Sequence, residues 1–576
     1  MEESIKDLTM AAFDRFSDMP VHIVHHIMSF LPITSATRVS ALSKNFNSAW
    51  LSYPVFDFDQ ALYEKVIRHS GYWTSFKKPD FLDFVLDSLM KHCPSDIYMQ
   101  RFSLRAWPLE ISYNRVQNSI RLAVDRNVNE LVVEIVEIQG LRLTNFCPLP
   151  RTALQNTKSL RVLKLSGFSL DLEDLIPCLN LVEDLTLDCC SVSGSSMFSR
   201  AKRNFMFSSA KLKDLKLRFC RELGKIEIDA LNLQSFSYTA CHIEQRSCEI
   251  NLSCCKKLKS LTIEESNITD DWVEDHVSKL VLLRNLKLVA CKNLQKFEIV
   301  ALNLQTFSYT AYDHREQHPC EFNLSYCKNL KSLTIEKSNI TDDWVKDHVS
   351  KLVLLRNLKL VACKNLQKIK ISNRQLESFE LLQCEKLLKA KIEAPNLISF
   401  DYSGDALYPN FPNIILSSTL ANVKLSLVTT EYQRVSFLDL STFLTRFGHC
   451  KTLSLSLGTY QALSVTQKLS EYLVHPVLLD LRHMRVELWS LCLSSSLTGL
   501  LDGFLWLAPN LETLFISVQR KSLMLHLEFY KWGPRGEDHI IKKVTIVKYE
   551  GRDDDKKSLL NYFHEKAITV EANSDC

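Results

Sequence analysis

Glycine is scarce in this chain, at 13 residues of 576, against a usual share of about 7%. Folds built on glycine-rich phosphate loops therefore start at a disadvantage, and none of the patterns G-x-G-x-x-G, G-x-x-x-x-G-K-[ST] or G-x-S-x-G occurs. No apolar run approaches the ~18 residues of a membrane span. Residues Met1–Met10 begin with acids and lack the apolar stretch of a secretory signal. The 18 cysteines are far too few for a disulfide scaffold, and no C-x2-C pair points to zinc. Free thiols in an intracellular setting, cytoplasm and/or nucleus, are the expectation. Lys plus Arg at 70 against Asp plus Glu at 66 leaves a net charge of +4. With no basic block there is no electrostatic footprint for nucleic acid. No membrane partner, no nucleic-acid partner and no cofactor are expected.

What the chain does have is apolar residues, 46% of the total, and repetition. Its length exceeds the roughly 250–300 residues at which a single core stops growing, so either several domains or a repeat array is required. Asp275–Lys296 recurs unchanged as Asp347–Lys368, an offset of 72, and the match reaches back to Ala230–Ala240 against Ala301–Ala311. Inside this duplication runs a shorter period of the form L-x-x-L-x-L. Copies begin at Leu160, Val182, Leu212, Leu233, Leu258, Leu283, Leu304, Leu330, Leu355, Leu376 and Leu397, with weaker ones at Ala421, Thr452 and Leu511. The spacing is that of a leucine-rich repeat. Each unit supplies a short strand and a return segment, neither of which buries its apolar face alone; stacking buries them together.

The longer units have room for a helix. Thr269 or Asp270 can cap its start, with Trp272, Val273, His276, Val277 and Leu280 on one face, and Trp344 as the partner of Trp272 in the second copy, both expected to be buried. In shorter units the return segment Leu223–Ile228 alternates as a second strand. Cys190, Cys220, Cys241, Cys291, Cys363 and Cys384 share one register just after the strand, a turn slot rather than a metal cluster. Asp270-Asp271 and Asp342-Asp343 read as helix-start acids in preference to a cation or acid/base pair. Asp553-Asp554-Asp555 reads as a solvated turn. His22, His25 and His26 lie opposite Ile23 and Ile27, so a solvated or interface face is expected in preference to metal ligation. No catalytic constellation is found.

The first residues are of another kind. Phe16–Trp50 (FSDMPVHIVHHIMSFLPITSATRVSALSKNFNSAW) reads as three short helices. Pro20 opens the first, which is expected to bury Ile23, Ile27, Phe30 and Leu31 and to stop at Pro32. A second begins near Thr34–Ser35 and a third runs from Ser43 to Trp50. Met19-Pro20, Ile23 with Ile27, Phe30-Leu31-Pro32, Leu42-Ser43-Lys44 and Trp50 together resemble the F-box. Asn45-Phe46 stands where plant members usually carry Arg-Trp. The remainder resembles the plant F-box/leucine-rich-repeat proteins: Val55–Asp59, the helical Phe81–Leu89 and a first strand at Val128–Ile135 look like their linking segment. Ile541–Lys566 is similar to the start of the FBD domain that ends many of them.

The resemblance implies an α/β fold, a three-helix F-box followed by a curved leucine-rich-repeat solenoid with a parallel concave sheet. The expected division is an F-box at 12–58, a linking segment at 59–130, a solenoid at 131–520 and an incomplete FBD-like cap at 521–576. It also implies a non-catalytic substrate-recognition subunit of a Skp-cullin-F-box ubiquitin ligase, with a Skp-type adaptor, through it a cullin, and an unidentified protein target as partners. The residues expected to face the adaptor are Met19, Pro20, Ile23, Ile27, Leu31, Pro32 and Leu42. In an L-x-L strand the residues between and after the leucines face away from the core. Lys164, Thr186, Lys216, Arg218, Thr262, Glu264, Lys287, Thr334, Glu336 and Lys359 are therefore the expected target-binding rows. The competing reading is a leucine-rich-repeat scaffold or ligand sensor with a degenerate F-box.

Overall fold

The computed structural model describes residues 19–31, 33–69, 80–92, 98–107, 113–136, 146–150, 154, 157–171, 175, 180–193, 203–241, 248–312, 321–404, 411–416, 420–427, 433–464, 476–491, 497–519, 523–529, 541–548 and 553–572. It divides into two compact units. One comprises Met1–Ile268 with Lys279–Leu283, and the other comprises Thr269–Ser278 with Arg284–Cys576.

The first unit opens with three helices, α1 (Val21–Ser29), α2 (Ile33–Val39) and α3 (Lys44–Leu51). Pro20 precedes α1 in extended backbone, where its missing N–H costs nothing. Ser43 caps α3 by accepting the Phe46 N–H. Their shared core is Val24, Met28, Ala36, Phe46, Ala49, Trp50 and Tyr53. The expected burial on α1 needs correction: Val24 and Met28 point inward, whereas Ile23 is 40% and Phe30 75% exposed, and Ile27 and Leu31 are half-buried.

From α3 the chain enters a parallel sheet, which begins earlier than the strand expected to be first. Val55–Asp59, Arg101–Ala106, Glu130–Ile135, Val162–Ser166, Asp184–Asp188, Asp214–Arg218, Ser235–Thr239 and Ser260–Glu264 pair in that order. A second layer carries Arg203–Ser208, Leu223–Asp229 and Glu249–Asn251, again parallel. The alternating return segment is thus a strand.

The second unit repeats the plan. Asn285–Val289, Thr306–Thr310, Ser332–Glu336, Asn357–Val361, Ser378–Leu382, Ser399–Gly404, Asn422–Leu427, Thr452–Ser464, His483–Leu491 and Thr513–Val518 form a parallel series. Leu523–Phe529 and Ile541–Lys548 then add antiparallel, and Ala567–Ala572 pairs parallel to the latter after the helix Asp553–Lys566. Asp553-Asp554-Asp555 thus open a helix instead of forming a turn. Its return layer holds the helices Asp270–Val277 and Asp342–Val349, and the strands Lys296–Glu298 with Glu321–Asn323 and Lys368–Ser372 with Lys389–Glu393 and Asn413–Leu416. Strand leucines such as Leu286, Leu288, Leu358 and Leu360 are at most 2% exposed. Burying each side chain contributes about 1.5–3 kcal/mol.

Candidate functional site

Because the inward stripe of α1 is filled by Val24 and Met28, the second apolar stripe is left on the surface. Ile23, Phe30 and Leu42, the last 76% exposed, stand outside the helical core together with Val21 and Leu51. Of the residues expected to face the adaptor, Pro20, Ile23 and Leu42 are exposed and Ile27 is half-buried. Met19 and Leu31 pack against the core. Pro32 lies outside the described residues. Phe30, expected inside with Ile23 and absent from the adaptor-facing set, is exposed as well. Asn45 donates its side-chain amide to the Met19 carbonyl at 2.8 Å, fastening the start of α3 to the residue that leads into α1. The histidines do not cluster: His22 and His26 are exposed, and His25 Nε2 lies 2.9 Å from the Ala49 carbonyl.

All ten residues of the expected target-binding rows lie on the outward face of the strands, half-buried or exposed. In the first unit Lys164, Thr186, Lys216, Ser237 and Thr262 are in register, with Asp188, Arg218, Thr239 and Glu264 beside them. Ion pairs link Lys164 to Asp184 at 3.7 Å and Arg218 to Asp188 at 3.8 Å. In the second unit the register runs Lys287, Ser308, Thr334, Lys359, Glu380, Asp401, Lys424, Ser454, Arg485 and Phe515. Lys359 is therefore not an isolated cation, since Glu380 takes it at 3.0 Å.

The continuation of that row is where the surface hollows. Between Glu380 and Phe515 lies an open groove of about 440 Å³, with strand-start residues Ser378, Ser399, Asn422, Thr452, His483 and Thr513 along one side. Small Ser454 stands between Lys424 and Arg485, which lowers the floor. Arg485 is held by Glu487 at 2.7 Å and its guanidinium lies 4.7 Å from the centre of the Phe515 ring. Burial raises the Asp401 carboxyl above its ordinary value although Lys424 is 3.5 Å away. The sequence rows stopped short of this groove because His483–Leu491 lacks the repeat pattern. The alternation of Met484, Val486 and Leu488 inward with Arg485 and Glu487 outward is the signal that marks it.

The cysteine slot is a turn feature. Cys190, Cys220, Cys291, Cys363 and Cys384 are buried and Cys241 half-buried. Cys190 donates toward the Leu165 and Asp188 carbonyls at 3.5 and 3.3 Å, and burial pushes its thiol up to about 12. Among the described residues no group of three His, Cys, Asp or Glu is placed to hold a metal, and no helix is long and apolar enough to cross a membrane. Asp270 and Asp342 each accept two backbone N–H groups of the next coil at 2.9 Å. Trp272 and Trp344 are half-buried instead of buried, each stacked on a helix histidine, His276 at 4.7 Å and His348 at 4.4 Å.

Comparison with known proteins agrees with these two kinds of surface. The F-box domain family matches residues 16–58, and the family described as At1g61320/AtMIF1, LRR domain, matches residues 314–552. Among curated proteins of Arabidopsis thaliana, F-box/LRR-repeat protein 25 is 26% identical over 42% of this chain and 81% of its own length. FBD-associated F-box protein At5g56380 is 28% identical over 47% of this chain and 54% of its own. Putative F-box/FBD/LRR-repeat protein At4g03220 is 25% identical over 40% and 47%, so the match spans about half the length of the latter two. Among solved structures, a chain of the mouse RP105/MD-1 complex aligns over 68% of this chain and 87% of its own at 12% identity, with a TM-score of 0.26. With three helices matching the F-box family at its start and leucine-patterned parallel coils matching a leucine-rich-repeat family further on, the chain carries an F-box domain and a leucine-rich-repeat domain and is similar to F-box/LRR-repeat proteins of Arabidopsis thaliana.

Proposed function

We propose that this protein is the substrate-recognition subunit of a Skp-cullin-F-box ubiquitin ligase, acting inside the cell in the cytoplasm or nucleus. The observation that carries this reading is the exposure of Ile23 and Phe30 on α1 and of Leu42 after α2, although the helices have a core of their own. Large apolar side chains left in solvent on a segment this small are what a partner surface would cover. The Skp-type adaptor docks there and brings the cullin. Among the described residues Ile23, Ile27 and Leu42 make the contact, while Met19, Pro20 and Leu31 set its shape.

The target is a protein held on the outward rows of the coils, where side chains vary without disturbing the core. The groove from Glu380 to Phe515 is its anchor, since Arg485 and Phe515 are the residue types that concentrate binding energy in interfaces. The protein itself performs no bond chemistry. It raises the local concentration of target lysines near a charged ubiquitin carrier.

Affinity purification from plant cells with the proteasome blocked tests both halves. The wild type brings down adaptor, cullin and an accumulating target, and Arg485→Glu with Phe515→Ala keeps adaptor and cullin while losing the target. Recovery of neither adaptor nor cullin supports the scaffold reading with a degenerate F-box, and an unchanged target in the double variant moves recognition off the groove.

A further inference from the structure

The two copies of the duplicated block are identical over 266–296 and 338–368 at every position but one, where Glu274 in the first is Lys346 in the second. Two residues beyond the block, Glu298 is matched by Lys370. These positions adjoin: in the first copy the Glu298 backbone N–H donates to Glu274 Oε1 at 3.3 Å. These two changes of sign fall on one spot of the return layer, a third, Glu265 to Lys337, lying at the turn after the outward strand, while the threonine caps, the aspartate clasps and the tryptophan–histidine stacks are kept in both copies.

The neighbouring strands sharpen the contrast. In the first copy Lys296 lies opposite Glu321 and pairs with it at 3.7 Å, and Glu298 accepts from Asn323. In the second copy Lys368 lies opposite Lys389, and Lys370 opposite Lys391. Adjacent strands are about 4.8 Å apart, and like charges set directly opposite destabilise a sheet. All of these lysines and Lys346 are exposed. Glu393 takes Lys391 at 2.7 Å; among the described residues Lys346, Lys368, Lys370 and Lys389 form no ion pair. Guarding a sheet edge is a common use of lysine, but here the outer side of Lys368–Ser372 is already covered, because Asp342 accepts the Gln367 and Lys368 N–H groups.

We propose that this lysine face of the return layer is a docking surface for an acidic protein segment, distinct from the outward rows that hold the target. Lysines two apart on one strand are about 6.6 Å apart, the repeat of alternate side chains in an extended peptide, so Asp or Glu at every second residue meets them in register. The cluster contains no arginine and no aromatic side chain. It thus lacks the bidentate forks and stacking surfaces that nucleic acid recognition uses, which favours carboxylates as its counterpart.

The test uses the full chain and a fluorescein-labelled oligoglutamate peptide, read by anisotropy at rising salt. The wild type binds with an affinity that falls as salt rises. K346E with K370E, which installs the pair that the first copy accommodates, weakens binding about tenfold or more without lowering the thermal midpoint. K368Q with K389Q, uncharged and on the same face, weakens it less but in the same direction. Unchanged peptide affinity in both variants, or tighter binding of a labelled DNA duplex than of the peptide by the wild type, overturns the proposal.

Discussion

Seven of the coils turn the corner after the strand at a non-glycine residue in left-handed backbone. Cys189, Phe219, Glu265, Ala290, Lys337, Ala362 and Gln383 have φ between 47° and 59°, a conformation that costs a non-glycine residue about 1–2 kcal/mol. The strand ladder offsets it: Ala290 N–H donates to Thr310 O at 2.7 Å and Ala362 N–H to Leu382 O at 2.8 Å. The residue that follows turns inward, and where it is cysteine its thiol reaches a carbonyl. In the two helix-bearing coils it is Ser266 or Ser338, whose buried hydroxyl has no hydrogen-bond partner among the described residues. An orphaned hydroxyl of this kind costs about 1–3 kcal/mol, so Ser338→Ala is expected to raise the thermal midpoint; a clear fall would show that the hydroxyl is satisfied. The buried thiols make a second prediction. Burial pushes Cys190 up to about 12 and Cys255 and Cys327 up to about 11, and the thiolate is the reactive form. At pH 8 these three are protonated in the folded chain. Iodoacetamide should therefore label exposed Cys254 first and reach the buried three only on unfolding; mass spectrometry showing equal rates would contradict this.

Among the elements, the helix-bearing coils show how a duplicated sequence is held together. Thr341 accepts the Trp344 N–H, leaving the adjacent Asp342 carboxylate free to accept two backbone N–H groups from the next coil. Asp342→Ala strands both donors and is expected to cost about 2–3 kcal/mol, whereas Asp343→Ala, at an exposed position, costs little; equal effects in chemical denaturation would refute the clasp. The helix and its threonine cap were legible from spacing. The clasp was not, because an acid beside a cap looks the same in sequence whether it faces solvent or a neighbouring coil. The same ambiguity explains α1. Val24 with Met28 and Ile23 with Ile27 are both apolar pairs at helical spacing, and periodicity alone does not say which faces the core. Strand positions fared better, because alternation assigns Lys216 or Lys287 to the outward face without knowledge of neighbours. The groove escaped because its small strand-start residues are ordinary ones, and its depth comes from the register that aligns Ser454 between Lys424 and Arg485.

For the molecule as a whole, the proposed function rests on two kinds of surface, exposed apolar side chains on the N-terminal helices and polar rows on the outward face of the coils. Adaptor binding, as proposed, depends on the exposed side chains of Ile23, Phe30 and Leu42. The most direct measurement is a calorimetric titration of the purified chain with a Skp-type adaptor, comparing the wild type with Ile23→Asp and Leu42→Asp. Neither side chain belongs to the helical core, so folding should survive, with an unchanged thermal midpoint as the check. The expected result is saturable one-to-one binding by the wild type and a loss of about 2 kcal/mol or more in each variant, the scale of a desolvated interface anchor. Binding by the folded variants at wild-type affinity, or none by the wild type, would contradict it.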